Sequence, residues 1–202
     1  MRPRIIIFDI ETRKWAEDLN PKDKEAGWDA LRRGKGGACA IALYDTRDYS
    51  LYLYDDHTAE TAARHLEQAD AVVGFCSERF DVPCLEGLAG RRLTLKAHYD
   101  IYEMATKANR KVGKFGQKGD FKLDRLSKQN LGRGKIDHGA NVKDLIKKGQ
   151  WGKIFNYCAS DVYLTRDLFA LICRDGGLIT LGGQFTSLHI PDRLKGGMEV
   201  FA

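Results

Sequence analysis

The run Ile5-Ile6-Ile7-Phe8 places the tightest constraint on this chain. A continuous apolar stretch this short reads as a strand buried on both faces, expected over residues 4–10. Strands at 38–44 and 50–54 follow, as a hairpin around Asp45-Thr46-Arg47-Asp48. Strand and helix patterns then alternate: a helix at 58–68 with Thr58 as N-cap, a buried strand at 71–75, and a helix at 82–88 entered through Pro83. A strand at 94–99 and a helix at 101–108 come next, then a basic, glycine-punctuated loop at 109–120. Helical pieces at 123–129 and 142–148 lead to a long helix at 151–173. The expected class is α/β. Residues 13–37 are polar and glycine-rich, with Trp15 and Trp28 as isolated anchors. They form a long excursion between strands, a length that points to a function.

With 202 residues and 43% hydrophobic content, the chain can bury a real core, which excludes disordered and collagen-like classes. The expected division is one domain over 1–175, carrying the 13–37 insertion, and an extension over 176–202 whose glycine pairs allow short strands. No apolar run approaches the roughly 20 residues of a membrane span, and the N-terminal one is too short for a signal peptide. Five cysteines without a Cys-x-x-Cys pair read as reduced core thiols, hence a cytoplasmic location. Residues 107–153 hold fourteen Lys or Arg and four Asp, a balance of +10, which leaves −5 for the rest of a chain of net charge +5. Such a region fits a polyanion docked beside a carboxylate-rich place, and equally a solvated helical face.

Three places supply those carboxylates. Asp9 and Glu11 stand two apart, so a strand would put them on one face. Such a pair needs a cation or a shared proton, unless the strand ends first and both acids sit in water. Asp81 follows another buried strand through a loop, a position that also suits a plain helix N-cap. In the last helix, with Tyr157 at zero, Leu164, Leu168, Leu171, Ile154 and Ile172 fall within about 60° and Asp161 at about 40°. Asp161 therefore points inward with Tyr157 and needs a positive partner, for which Arg125 and Arg133 are available. Four acids without His or Cys suit Mg²⁺ or Mn²⁺, and two such ions serve phosphodiester hydrolysis. Gly134-Lys135 lacks the residues of a phosphate-binding loop, and Asp100 reads as a helix cap.

Phe8-Asp9-Ile10-Glu11-Thr12, Phe80-Asp81 and Tyr157-Cys158-Ala159-Ser160-Asp161 resemble, in order and spacing, the three motifs of the DnaQ-like (DEDD) 3′–5′ exonucleases, in the DEDDy form. The resemblance covers about residues 4–173. It implies an RNase H-like fold, a five-stranded mixed sheet flanked by helices. It implies that Asp9, Glu11 and Asp161 hold one metal ion, that Asp9 and Asp81 act on a second, and that Tyr157 orients the attacking water. Thr12, Ser77 and Phe80 would meet the nucleic acid, with Lys111, Lys114, Lys118 and Lys122 as phosphate contacts and Phe115 and Phe121 as stacking platforms or core anchors. Ser77, preceded by Cys76, departs from the Asn or His usual there.

The leading expectation is a Mg²⁺- or Mn²⁺-dependent 3′–5′ exonuclease that releases 5′-mononucleotides, on DNA rather than RNA. A DNA polymerase or another replication or repair protein would be a partner in trans, since the length leaves no room for a fused polymerase. Two alternatives stand beside it: a structure-selective endonuclease on junctions or flaps using the same site, and a catalytically silent nucleic-acid-binding module.

Overall fold

The computed structural model describes residues 2–111, 113, 116, 119–136 and 142–198. Five strands, β1 (Ile5–Thr12), β2 (Ala38–Asp45), β3 (Ser50–Tyr54), β4 (Ala71–Gly74) and β5 (His98–Asp100), form one sheet in the order β3-β2-β1-β4-β5. β2 is antiparallel to β1 and β3, whereas β4 is parallel to β1 and β5. The sheet is thus mixed and five-stranded, as expected. The helices are α1 (Ala16–Leu19), α2 (Lys24–Arg32), α3 (Ala59–Glu67), α4 (Asp81–Ala89), α5 (Ile101–Lys111), α6 (Leu123–Leu131), α7 (Val142–Lys147), α8 (Trp151–Asp175) and α9 (Asp192–Lys195).

Alternation along β1 divides the core. Ile5 and Ile7 join the cluster that α8 covers, with Ile154, Leu164, Leu168 and Phe169. Ile6, Phe8 and Ile10 face the other way, onto Ala62, Ala63 and Leu66 of α3 and Cys84 and Leu85 of α4. All three isoleucines at 5–7 are fully buried, as the opening apolar run requires. At about 1.5–3 kcal/mol for each large apolar side chain, this two-faced burial fixes the register of the central strand.

Two local expectations are corrected and one is refined. The 13–37 excursion is not a plain loop. It holds α1 and α2, because the Asp23 side chain caps α2 by accepting from the Ala26 N–H at 3.1 Å, and Leu31 buries its inner face. Thr58 does stand at the N-cap position of α3, but its side chain makes no cap bond. Asp55 instead caps the short 3-10 turn 56–58 that leads into the helix, its carboxylate accepting from the His57 and Thr58 N–H groups at 3.1 and 3.2 Å. The strand expected at 94–99 is shorter and later, since the β4 pairing reaches only His98–Asp100.

β1 runs two residues past its expected end, so Asp9 and Glu11 belong to the strand and lie on its α8 face. Its pairing with β4 covers only Ile5–Ile7. Beyond that, β4 stops at Gly74 and the chain turns into α4, which opens a crevice at the carboxyl ends of two parallel strands. A crevice at the carboxyl ends of parallel strands is a usual place for a ligand in an open α/β sheet. The tail forms a second, two-stranded sheet of β6 (Gly177–Ile179) and β7 (Phe185–Ser187). Leu178, Leu188, Ile190, Leu194 and Met198 of the tail join the α8-side core. Among the described residues, no helix is long and apolar enough to cross a membrane.

Candidate active site

Strand periodicity turns Asp9 and Glu11 toward α8, and helical periodicity turns Asp161 back toward them. One carboxylate oxygen from each of the three lies within 4.8 Å of the others. Asp81, in the first turn of α4, approaches from the crevice side. Its Oδ1 accepts from the Ile10 N–H at 3.0 Å, past the last β4 pairing. Asp81 therefore ties α4 to β1 beside Asp9 rather than capping its own helix.

Asp81 and Asp161 are buried and Asp9 and Glu11 are half-buried beside them, and both the crowding and the loss of water disfavour their charge. Burial first, and then the neighbouring Asp161, push Asp9 up to about 7. Burial and then Asp9 raise Glu11 and Asp81 well above the ordinary carboxylate range. Burial also raises Asp161, although Lys135 opposes it. The Tyr157 phenol is raised by burial and then by Asp161, so it stays protonated at neutral pH.

Lys135 is the partner that the sequence reading missed. Its Nζ donates to Asp161 Oδ2 at 2.5 Å and to the Tyr157 hydroxyl at 3.2 Å. Arg133 pairs with Asp167 and Arg125 with Asp120, so neither takes the role expected of it. Burial works against the Lys135 charge, but Asp161 and Asp9 outweigh it and hold the ammonium on. One ammonium against four carboxylates leaves the cluster short of positive charge. Among the described residues, Asp161 Oδ1 is buried without a hydrogen-bond partner. Such an orphaned oxygen within an all-oxygen donor set fits a hard divalent cation.

A supporting layer fixes the acids. The Cys158 thiol donates to the Asp9 carbonyl at 3.3 Å and to its Oδ2 at 3.5 Å. Asp100 does more than cap α5 at the Glu103 N–H. It also accepts from the Cys76 and Glu78 N–H groups at 2.9 Å each, which pins the turn that leads to Asp81. That turn holds Cys76 at φ 63, a left-handed conformation uncommon for a residue with a side chain.

A groove of about 1090 Å³ runs over the cluster and is lined by Asp9, Glu11, Asp81 and Tyr157. Thr12, Phe80 and Lys122 line it too. Ser77 does not. It is fully buried and its hydroxyl bonds His98 Nε2 at 2.9 Å, so Cys76 takes the groove-lining place. Lys111 is exposed away from the groove, and Phe121 is a buried anchor at its edge. Lys114, Phe115 and Lys118 lie outside the described residues.

No family model matches the sequence, and no curated protein matches it. Solved structures do match. One is the family B DNA polymerase from the hyperthermophilic archaeon Pyrobaculum calidifontis, with a TM-score of 0.56 and 16% identity over 85% of this chain. The match covers 26% of the polymerase chain, so this protein corresponds to about a quarter of it. At that identity the likeness is one of fold. Together with the strand order it establishes the RNase H-like α/β fold, a five-stranded mixed sheet flanked by helices.

Proposed function

We propose that the chain is a divalent-metal-dependent nuclease that hydrolyses phosphodiester bonds at the 3′ ends of DNA and releases 5′-mononucleotides. The observation that carries this is the convergence of Asp9, Glu11 and Asp161 within 4.8 Å at the mouth of the crevice, with one Asp161 oxygen unpartnered. The polarity and the choice of DNA rest on the motif resemblance.

In this reading Asp9, Glu11 and Asp161 would hold one Mg²⁺ or Mn²⁺ ion, and Asp9 with Asp81 a second. Bound there, such ions supply electrostatic stabilisation to the charge that develops on the phosphate and the leaving oxygen. The chain's own groups do the rest. Asp81 holds the β1 backbone and so sets the spacing between the two acidic positions. Tyr157 remains a phenol, which makes it a poor base and a good positioning group for the attacking water. Cys158 fixes the Asp9 carboxylate. Lys135 supplies the cluster's positive charge from an irregular segment between α6 and α7, so it can withdraw without unwinding a helix.

The test is digestion of 5′-labelled oligonucleotides in Mg²⁺ or Mn²⁺. We expect a ladder that shrinks from the 3′ end, abolished by EDTA and reduced to background in Asp9→Ala. Undiminished cleavage by Asp9→Ala would overturn the assignment, and discrete internal products would transfer it to an endonuclease.

A further inference from the structure

The 13–37 insertion is not needed to bring the carboxylates together, yet it builds part of the groove over them. Trp15, Trp28 and Arg32 line the groove from the insertion, while Phe75, Tyr102 and Arg110 line it from the β4–α4 turn and from α5. Phe75 meets Tyr102 edge-on, with ring centroids 6.1 Å apart. Trp28 meets Phe80, the residue before Asp81, edge-on at 5.8 Å.

The insertion is held on several sides. Inside it, a Cβ on Gly27 would overlap the Ala16 carbonyl, so α1 and α2 touch backbone to backbone. On the α4 side, a Cβ on Gly87 would overlap the Arg33 backbone. Arg32 Nε donates to the Arg79 carbonyl at 3.0 Å, which ties α2 to the turn that carries Asp81. On the α7 side, Lys143 pairs with Asp18 at 2.8 Å and lies 5.3 Å from the centre of the Trp15 ring. Both tryptophans are thus presented by a fixed wall.

At about 1090 Å³ the groove lies at the upper end of the roughly 300–1,000 Å³ of small-molecule sites. It joins aromatic rings from two separate parts of the chain to arginines and to an acidic floor. Aromatic rings with interleaved cations are what an unpaired polynucleotide strand requires: each unpaired base offers a face for stacking, and each phosphate offers a charge. In a duplex those faces are covered by neighbouring bases. From this we infer that the 13–37 insertion is a strand selector, with Trp15 and Trp28 stacking on unpaired bases of the strand that enters the groove. The inference rests on the nuclease reading only for the placement of the strand's end at the carboxylates.

Fluorescence anisotropy in EDTA, with a labelled single-stranded oligodeoxynucleotide and a blunt duplex of the same length, tests it. Trp28→Ala and Trp15→Ala should each weaken single-strand binding about 5- to 100-fold, by the loss of one stacking contact. Trp28→Phe should stay within about twofold of wild type, and duplex binding should change little in any variant. Tryptophan emission should quench on addition of the single strand, with less quenching in each alanine variant. Unchanged single-strand affinity in both alanine variants overturns the inference, as does an equal loss for single strand and duplex. Circular dichroism identifies a variant that fails to fold, and wild-type tryptophan emission then decides: quenching by the single strand but not by the duplex upholds the inference, and equal or absent quenching overturns it. The cleavage assay on wild type separates the two readings. Binding that depends on tryptophan without cleavage in Mg²⁺ or Mn²⁺ sinks the nuclease and spares the selector; cleavage with indifferent tryptophans does the reverse.

Discussion

Lys135 and Asp161 set the electrostatics of the crevice, and each is exposed to test. Removing one member of a buried ion pair costs about 3–5 kcal/mol, and the partial exposure of Lys135 lowers the expectation for Lys135→Met to about 2–4 kcal/mol. For a chain of this size that is a fall of roughly 5–10 °C in Tm, read by thermal melting in EDTA at pH 8. Added Mn²⁺ should restore most of the loss, and an unchanged Tm would show that the pair does not hold the cluster. The acids predict a pH dependence of definite sign. Between the ordinary Asp value and about 7, the folded chain keeps a proton on Asp9 that the unfolded chain has released. The folded state then binds more protons, so stability falls as pH rises through that window, by about 4 kcal/mol at most from Asp9. Glu11 and Asp81 act in the same direction. Asp45 and Glu67 act oppositely. Burial pushes Asp45 up, but Arg4, the Arg47 N–H and His65 bring it below its ordinary value, and Arg91 lowers Glu67 to about 2. Their stabilisation is complete above about pH 5 and is lost only in acid. Urea unfolding at pH 5 to 8 in EDTA should therefore show declining stability, and a flat or rising profile would contradict the burial of these acids. Asp9, Glu11 and Asp161 were legible because strand and helix periods place them on known faces. Lys135 was not, because it sits in an irregular segment where no period says which way a side chain turns.

Among the elements, the insertion and the basic stretch show what pattern reading captures and what it loses. The tryptophans marked 13–37 as unusual, but α1 and α2 escaped notice. The charges and glycines of the segment masked them, although α2 carries an amphipathic face, with Gly27 and Leu31 buried, and a cap at Asp23. Gly87→Ala should force α2 away from α4, at a cost of about 1–3 kcal/mol, and should open 13–37 to limited proteolysis. Wild-type protease resistance in that variant would show that the crossing is not tight. The basic stretch is only partly a polyanion surface. Lys128 pairs with Asp124, Lys143 with Asp18, Arg133 with Asp167 and Lys135 with Asp161, so much of its charge is matched within the fold. Net charge by segment could not reveal this, because the partners of Lys143, Arg133 and Lys135 are distant in sequence.

At the scale of the molecule, the two-faced burial of β1 followed directly from Ile5–Phe8, whereas the five-stranded mixed sheet was expected only from the motif resemblance and its strand order was not anticipated. The tail did not follow, since three-residue strands between glycines carry too little pattern. Yet its Leu178, Leu188, Ile190, Leu194 and Met198 are all nearly fully buried. At about 1.5–3 kcal/mol each, their burial rivals the whole 5–15 kcal/mol stability of an ordinary domain. A chain ended at residue 175 should therefore lose its cooperative unfolding transition in calorimetry. A sharp transition near the wild-type Tm would make 176–202 a true appendage.

The three-residue seam between β1 and β4 resembles a zip fastened at one end. Past its last tooth, Asp81 and Asp100 stitch the loose backbone where a neighbouring strand would have done so. Among the described residues, Asp9 and Glu11 side chains accept no backbone hydrogen bond, so exchanging either leaves every stitch in place. Chemistry at these lips can drift while the cloth behind them stays whole; at Asp81 and Asp100, which are thread as well as ornament, it cannot.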